Sequence, residues 1–333
     1  MILAGDIGGT HTRLALFEPA GGRLALVGES SFCSRDHATL EEIVAKFLAS
    51  RSGMIHRACL GIAGPVRHGI VHTPNLPWTV EAPALARAIG VSAVDLINDL
   101  EANARGIDAL QPTDLVVINP GLPDSGGPRA VISAGTGLGE AAVFCAGAQH
   151  HVLASEGGHA DFAPRNQLEI ELLRHLAKRY GHVSYERILS GPGLVNVYEF
   201  LRDTGRGEES PRMAEALRSG DAAQIISQAA LQGACHLCEQ ALDLWIAIYG
   251  AEAGNLALRV LATGGVLLGG GIAPKLVSRL AASGFLDSFT DKGRMRPLLE
   301  TIPVFVITNE NTALLGAAHC AAEMLELATS ASS

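Results

Sequence analysis

Residues 5–16 read Gly5-Asp6-Ile7-Gly8-Gly9-Thr10-His11-Thr12-Arg13-Leu14-Ala15-Leu16, and this stretch decides the fold. The apolar run Ile2–Ala4 leads into it and Leu14–Phe17 leaves it. The pattern is strand, glycine-rich turn, strand. Gly5, Gly8 and Gly9 are read as turn residues, because bare consecutive backbone N–H groups form a nest for an anion. The Thr10 hydroxyl adds a donor beside Ile7 and the glycines. Asp6, read as part of the same turn, would be a carboxylate next to phosphates. That makes sense if it reaches Mg²⁺, directly or through water; otherwise it bonds turn amides.

The theme recurs. Val131–Phe144 holds a strand, the turn Gly135-Thr136-Gly137-Leu138-Gly139 and a second strand. Gly265–Leu268 reads as a strand running into Gly269-Gly270-Gly271, with Pro274 opening a helix. This is a weak internal duplication. Two facing Gly-Thr hairpins would hold a polyphosphate from both sides. A P-loop would need Gly-Lys-Ser/Thr, but the chain has four lysines (Lys46, Lys178, Lys275, Lys292) and none follows a glycine. No GxGxxG stands at these turns, so the dinucleotide fingerprint fails as well. The turns also explain the composition. At the usual ~7% a chain of this length would carry about 23 glycines, and this one has 38.

A chain of 333 residues suits two packed lobes or one large α/β unit, and 48% hydrophobic residues suffice for a real core. A net charge of −9 argues against a nucleic-acid partner, which would require basic surface. Six scattered cysteines make no disulfide framework. Cys235-x-x-Cys238 supplies two of the four ligands of a structural zinc and reads as buried helical thiols, with metal or redox chemistry as the alternative. No signal peptide is visible. The apolar stretch 241–274 is interrupted by Asp243, Glu252, Asn255 and Arg259, which fits a buried helix and strand rather than a membrane span. A cytoplasmic protein with no membrane partner is expected.

Along the chain, Leu40, Ile43, Val44, Phe47 and Leu48 repeat with helical spacing behind a capping box of Thr39 and Glu42. Ala58–Ile62 and Val94–Ile97 read as buried strands. His72–Trp78 holds two prolines and is irregular, and Asn119–Arg129 is a turn-rich connection. Helices are expected over Leu168–Tyr180, Ile225–Tyr249 and Asn311–Leu325, a polar loop over Asp203–Arg212, and a strand at Val304–Ile307.

Three carboxylates and a histidine stand beside turns: Asp99 after the strand Val94–Ile97, Glu156 and His159 around Gly157-Gly158, and Glu186 ahead of Ser190-Gly191-Pro192-Gly193. Carboxylates accept from adjacent hydroxyls and an imidazole can donate or accept, so the set suits a neutral polyol. The residues alone leave other roles open. Asp99 is either a base at a strand's carboxyl end or the cap of the helix starting near Leu100. His159 is either a ligand or a satisfied core histidine, and Glu186 either a ligand or a surface charge.

In this order, GDIGGTHTRLAL, LIND, SAGTGLG, SEGGHADFAP, ERILSGPGLVN and LGGGIAP resemble the bacterial glucokinases of the non-ROK, proteobacterial type, over about Ile2 to Gly316. Related ROK kinases carry a clustered-cysteine zinc motif, whereas no cysteine occurs here between Cys145 and Cys235. The resemblance implies a two-lobed actin-like ATPase (ribonuclease H-like) α/β fold with the active-site cleft between the lobes. Residues 1–109 plus 302–327 would form the small lobe, 110–301 the large lobe and 328–333 a frayed tail. It implies a homodimeric enzyme that uses MgATP to phosphorylate glucose at its 6-hydroxyl, with Asp99 as general base. It places Asn98, Glu156, His159 and Glu186 on glucose hydroxyls. Asn75 is expected near the sugar too, and Gly137 is expected to give a backbone contact. Gly135 and Thr136 join the first turn on the phosphates, and Gly270 and Gly271 let the adenosine pack on bare backbone. His11 departs from the asparagine often found there. Another hexose kinase, a sugar-responsive regulator and a chaperone-like ATPase remain rivals. The regulator would need a DNA-binding segment for which no room precedes residue 5.

Overall fold

The computed structural model describes residues 1–330 except 21, 22, 50, 52, 74, 75, 147, 148 and 283. It divides into two compact units. One comprises Met1–Asp114, Val152–Ala154 and Asn309–Ser333, the other Leu115–His151 and Ser155–Thr308. The first junction falls at Asp114 rather than residue 109. The chain returns at Asn309 rather than residue 302, because Val304–Ile307 pairs within the second unit's sheet.

In the first unit, β1 (Ile2–Ile7), β2 (His11–Ala20), β3 (Arg23–Cys33), β4 (Arg57–Ile62), β5 (Ile70–His72), β6 (Thr79–Glu81) and β7 (Val94–Asn98) appear in order. Five of them form a sheet of order β3-β2-β1-β4-β7, and β5 and β6 make a small ribbon. β1 runs antiparallel to β2 and parallel to β4. Side chains alternate across β1. Leu3 and Ile7 enter a core with Leu40, Val44 and Phe47, from a helix that spans Leu40–Ala49. Ile2 and Ala4 enter a second core with Leu314, Ala317 and Ala321 of the closing helix, Thr312–Ser330. That helix continues past Leu325, so residues 328–330 are helical, and 331–333 lie outside the described residues. The capping box holds in part. Thr39 Oγ1 accepts from Glu42 N, while the Glu42 carboxylate reaches Ala38 N and His37.

In the second unit, β8 (Leu115–Asn119), β9 (Arg129–Ala134), β10 (Leu138–Ala146), β11 (Gln149–Ser155, of which Val152–Ala154 are assigned to the first unit), β12 (Gly265–Gly269) and β13 (Val304–Ile307) form a sheet of order β11-β10-β9-β12-β13-β8. β9 is antiparallel to β10 and parallel to β12, and β12 is parallel to β13. The relations of β1, β2, β4 and β7 thus recur in β9, β10, β12 and β13. The duplication inferred from two Gly-Thr turns is a duplication of whole sheets, with β8 added antiparallel at one edge.

The helix expected over Ile225–Tyr249 is two helices, Ala222–Leu231 and His236–Val260. Gly233, at φ +64°, makes the break. The second helix is buried on all sides, so its apolar residues carry no stripe to mark its start. Cys235 is its N-cap and Cys238 is buried one turn later. Among the described residues no group of three or more His, Cys, Asp or Glu is placed to hold a metal ion. None of the described helices is long and apolar enough to cross a membrane.

The helix Asp99–Gly106 packs on the closing helix at unusually short range. A Cβ on Gly106 would run into the Thr312 carbonyl, and one on Gly316 into the Ala102 carbonyl. In a free helix Gly→Ala stabilises by ~0.5–1 kcal/mol. Here overpacking reverses the sign: Gly316→Ala is expected to lose about 1–3 kcal/mol. Urea denaturation checks this, and an unchanged or raised midpoint would contradict the packing argument.

Candidate active site

The strand β7 ends on Asn98, and the helix Asp99–Gly106 begins at once. Asn98 is the cap. Its Oδ1 accepts from Leu100 N at 2.9 Å and Glu101 N at 3.3 Å, while its Nδ2 donates to the Gly64 carbonyl at 3.2 Å. The capping role considered for Asp99 therefore belongs to its neighbour. Asp99 sits in the first helical turn, with Oδ1 accepting from Leu100 N at 3.0 Å. The Asn98 oxygen is thus spent on the helix, and one hydrogen of its amide on Gly64.

Asp6 is not in the turn. It occupies β1, paired with Arg13 in β2 and Gly61 in β4, on the face that carries Ile2 and Ala4 toward the closing helix. Burial raises its carboxyl to about 6; the Asp99 charge adds to the rise and Arg13 opposes it. Asp6 and Asp99 thus stand close enough to repel. Gly5 and Ile7 are also strand residues rather than turn residues. A Cβ on Gly5 would lie 2.5 Å from Leu60 Cδ2 and 3.0 Å from Leu14 Cδ2, so this glycine serves packing. Ile7 is buried in the same core. The turn proper is Gly8-Gly9-Thr10, closed by Gly8 N donating to His11 O at 2.9 Å. Ser34 braces it, with its Oγ donating to Gly8 O at 2.8 Å and its N to Thr10 O at 2.9 Å. Thr10 is exposed. Asn75 lies outside the described residues.

In the second unit, Gly135-Thr136-Gly137 joins β9 to β10, closed by Gly135 N donating to Gly137 O at 2.9 Å. Glu186 Oε2 accepts from Leu138 N at 3.0 Å, and a Cβ on Gly137 would lie only 2.5 Å from that oxygen. Gly137 is glycine because a carboxylate occupies the space of its side chain. His159 Nδ1 lies 3.9 Å from Glu186 Oε1, with the His159 ring 59% exposed. His159 is therefore not a core histidine. Glu156 heads the short turn Gly157–His159, exposed, and its carbonyl accepts from His159 N at 3.0 Å. Glu186, His159 and Gly137 converge, and Glu156 stands on the same turn as His159.

The SGPG segment is the start of a helix, Gly191–Asp203, capped by Ser190 Oγ accepting from Gly193 N at 3.0 Å. Gly191 N donates to Gly135 O at 2.8 Å and so ties the helix start to the Gly-Thr turn. Beside this junction is a cavity of about 520 Å³ whose walls include Gly135, Thr136, Gly271, Lys275, Gln224 and Trp245. Gly270 stands behind it at φ +81°, its Cα against the backbone of Ala134. Gly271 and the Gly135-Thr136 turn, far apart in sequence, thus wall one space, as expected. Lys275 and Gln224 were missed. Each sits on an ordinary-looking helical turn, and only the tertiary fold brings them to the cavity.

The comparisons with known proteins agree with these features. Residues 3–324 match the Glucokinase family model. A glucokinase from Nostoc sp. is 44% identical, over 97% of this chain and 99% of its own length. The chain belongs to the glucokinase family. A solved glucokinase from an Antarctic psychrotroph superimposes with a TM-score of 0.80 at 34% identity, over 97% of this chain and 98% of the other. The Balamuthia mandrillaris glucokinase, solved with glucose, superimposes at 0.76 with 23% identity, over 96% and 93% of the two chains, which speaks for the fold. The fold is the actin-like ATPase fold of these enzymes, as the family resemblance implied.

In this glucokinase-family chain Asn98 holds the helix that carries Asp99. Asn98→Ala is expected to cost about 1 kcal/mol through loss of the cap, whereas Asn98→Ser retains an acceptor and most of that stability. Chemical denaturation of the two variants checks the order. Equal losses would mean that the cap is not what Asn98 contributes.

Proposed function

We propose that the protein transfers the γ-phosphoryl group of ATP to the 6-hydroxyl of glucose. The observation that carries this reading is the position of the Gly135-Thr136-Gly137 turn. One side of it walls the 520 Å³ cavity, and its other side touches Glu186. Donor and acceptor must lie side by side for in-line transfer, and a single turn shared by a nucleotide-sized space and a polyol-binding carboxylate supplies that adjacency. Family membership selects the sugar.

In this reading Glu186, His159 and Glu156 hold the sugar through its hydroxyls, with Asn98 and Asn75 as further contacts. Glu186 spends one oxygen on Leu138 N, so its other oxygen faces the ligand side, where His159 also lies. Asp99 takes the proton of the 6-hydroxyl as the new bond forms. Gly8, Gly9, Thr10, Gly135, Thr136 and Gly137 cradle the phosphates, and Gly270 and Gly271 flank the adenosine. Mg²⁺ fits the residues present, because Asp6 and Asp99 are two half-buried carboxylates whose mutual repulsion a hard cation relieves. Asp6 would hold it through water, with the remaining ligands from phosphates and solvent. When bound, it neutralises phosphate charge. The reading includes a homodimeric cytoplasmic enzyme, supported by resemblance to the family; a monomeric mass by light scattering would remove the dimer.

A panel of hexoses with coupled detection of ADP tests the substrate. Glucose is expected to stimulate ADP release most, and stimulation by another hexose without glucose would overturn the choice of sugar. Asp99→Ala is expected to lower kcat by about 100- to 10,000-fold, with glucose affinity held within tenfold. Wild-type turnover in that variant would remove Asp99 as the base.

A further inference from the structure

Behind the sugar-side turns lies a group of ionisable side chains that the reaction itself does not use. Glu140 projects from β10, two residues past Leu138, and is 1% exposed. Glu252, on the buried helix His236–Val260, is fully buried. Both carboxyls lie against the same guanidinium, close enough for the Glu252 charge to raise the Glu140 carboxyl. One arginine serves both: Arg259 NH1 lies 2.6 Å from Glu252 Oε1 and 3.8 Å from Glu140 Oε2. Glu252 is well supplied beyond that. Asn255 Nδ2 donates to its Oε2 at 2.8 Å and to the Tyr185 hydroxyl at 3.1 Å. Glu140 Oε1, by contrast, is buried with no N–H or O–H donor facing it. A buried carboxylate without a donor is costly, whereas a protonated one donates to its neighbour.

This pair touches both sugar-side turns. A Cβ on Gly157 would collide with Glu140 Oε2, so the Glu156–His159 turn rests directly on the Glu140 carboxyl. Tyr185, which shares the Asn255 amide with Glu252, is the residue before Glu186. We propose that Glu140 is a positioning residue that is protonated and donates to Glu252, and that this neutral contact holds the Glu156–His159 and Tyr185–Arg187 turns in register for the sugar. The inference rests on the reading of those turns as the sugar site.

Electrostatics set the direction of a pH effect. Burial, then the Glu252 charge, raises the Glu140 carboxyl to about 8, against a lesser pull from Arg259. The other groups near it are Tyr249, whose hydroxyl bonds the Ile132 carbonyl, and Tyr185. Lys292 is committed to Ala251 O and Asn255 Oδ1 at 2.9 and 2.7 Å, and His159 and Glu156 stand on the turn above. None of these supplies a second cation to an ionised Glu140. Loss of its proton puts two anions beside one arginine and forces the pair apart beneath Gly157. Between an ordinary carboxyl value near 4.5 and about 8, the folded chain holds a proton that the unfolded chain has released. Folding stability therefore falls as pH rises through that range. Sugar affinity is set by the pair's last step and weakens above about 8.

The test compares full-length wild type with Glu140→Gln and Glu140→Ala. KM for glucose and kcat are measured from pH 6.5 to 9.5, with glucose binding to the same proteins followed by calorimetry. In wild type, KM and Kd for glucose are expected to rise severalfold above pH 8 while kcat changes less. Glu140→Gln keeps a neutral donor, so its KM stays near the wild-type value at pH 7 and flat to pH 9.5. Glu140→Ala has a raised KM at every pH. A wild-type Kd that is flat across the range overturns the proposal without any variant. So does an alkaline rise in Glu140→Gln equal to that of wild type. If wild type binds no glucose but another hexose, the substrate reading fails, and the same pH series with that hexose still decides the role of Glu140.

Discussion

The hydrogen bond from Leu138 N to the Glu186 carboxylate is the contact on which the second unit's candidate site is built. A side chain at residue 137 would push this carboxylate aside, because the acceptor oxygen fills the place where a Cβ would stand. The bond fixes the first residue of β10 against the Tyr185–Arg187 turn. It also leaves Glu186 with one oxygen held by the backbone and the other 3.9 Å from His159 Nδ1. A carboxylate held by a backbone donor is oriented before any substrate arrives, which lowers the entropic cost of binding.

The same economy runs through both sheets. β1–β2 and β9–β10 are antiparallel pairs joined by tight Gly-Thr turns, and each leads into parallel neighbours. An antiparallel hairpin presents its turn at the sheet's end, where backbone N–H groups are no longer used by the ladder. The glycines at these ends divide into two kinds. Gly8 and Gly135 shape the turns themselves, whereas Gly5 and Gly137 make room for Leu60 and Glu186. A count of glycines cannot separate close approach from turn geometry, because both ask for the same missing atom.

Charge burial follows a parallel logic. The first unit concentrates repulsion on Asp6 and Asp99, beside the exposed turn at Thr10. The second hides its carboxyl pair beneath the Gly157–His159 turn and compensates it with Arg259 and Asn255. The first pair is half-buried. The other is closed to solvent, so a proton is the cheapest way to relieve it.

Sequence determined the parts governed by local rules. Apolar runs on either side of the Gly5–Thr10 stretch gave the strands, the order of the motifs gave the family, and Asn98-Asp99 were placed at a strand's carboxyl end. It also named Glu156, His159 and Glu186, because polar residues flanking glycines are visible one by one. Tertiary structure decided what depends on distant partners. It set Asp6 inside a strand, since a ladder is a property of two strands. It gave the cap to Asn98, and it split the buried helix at Gly233, where an all-apolar surface hides the boundary. It brought Lys275 and Gln224 to one cavity and Glu140 under Gly157, across 17 to 140 residues of chain. Such contacts leave no mark on local periodicity, because the energy that selects them comes from burial after the chain has folded back on itself.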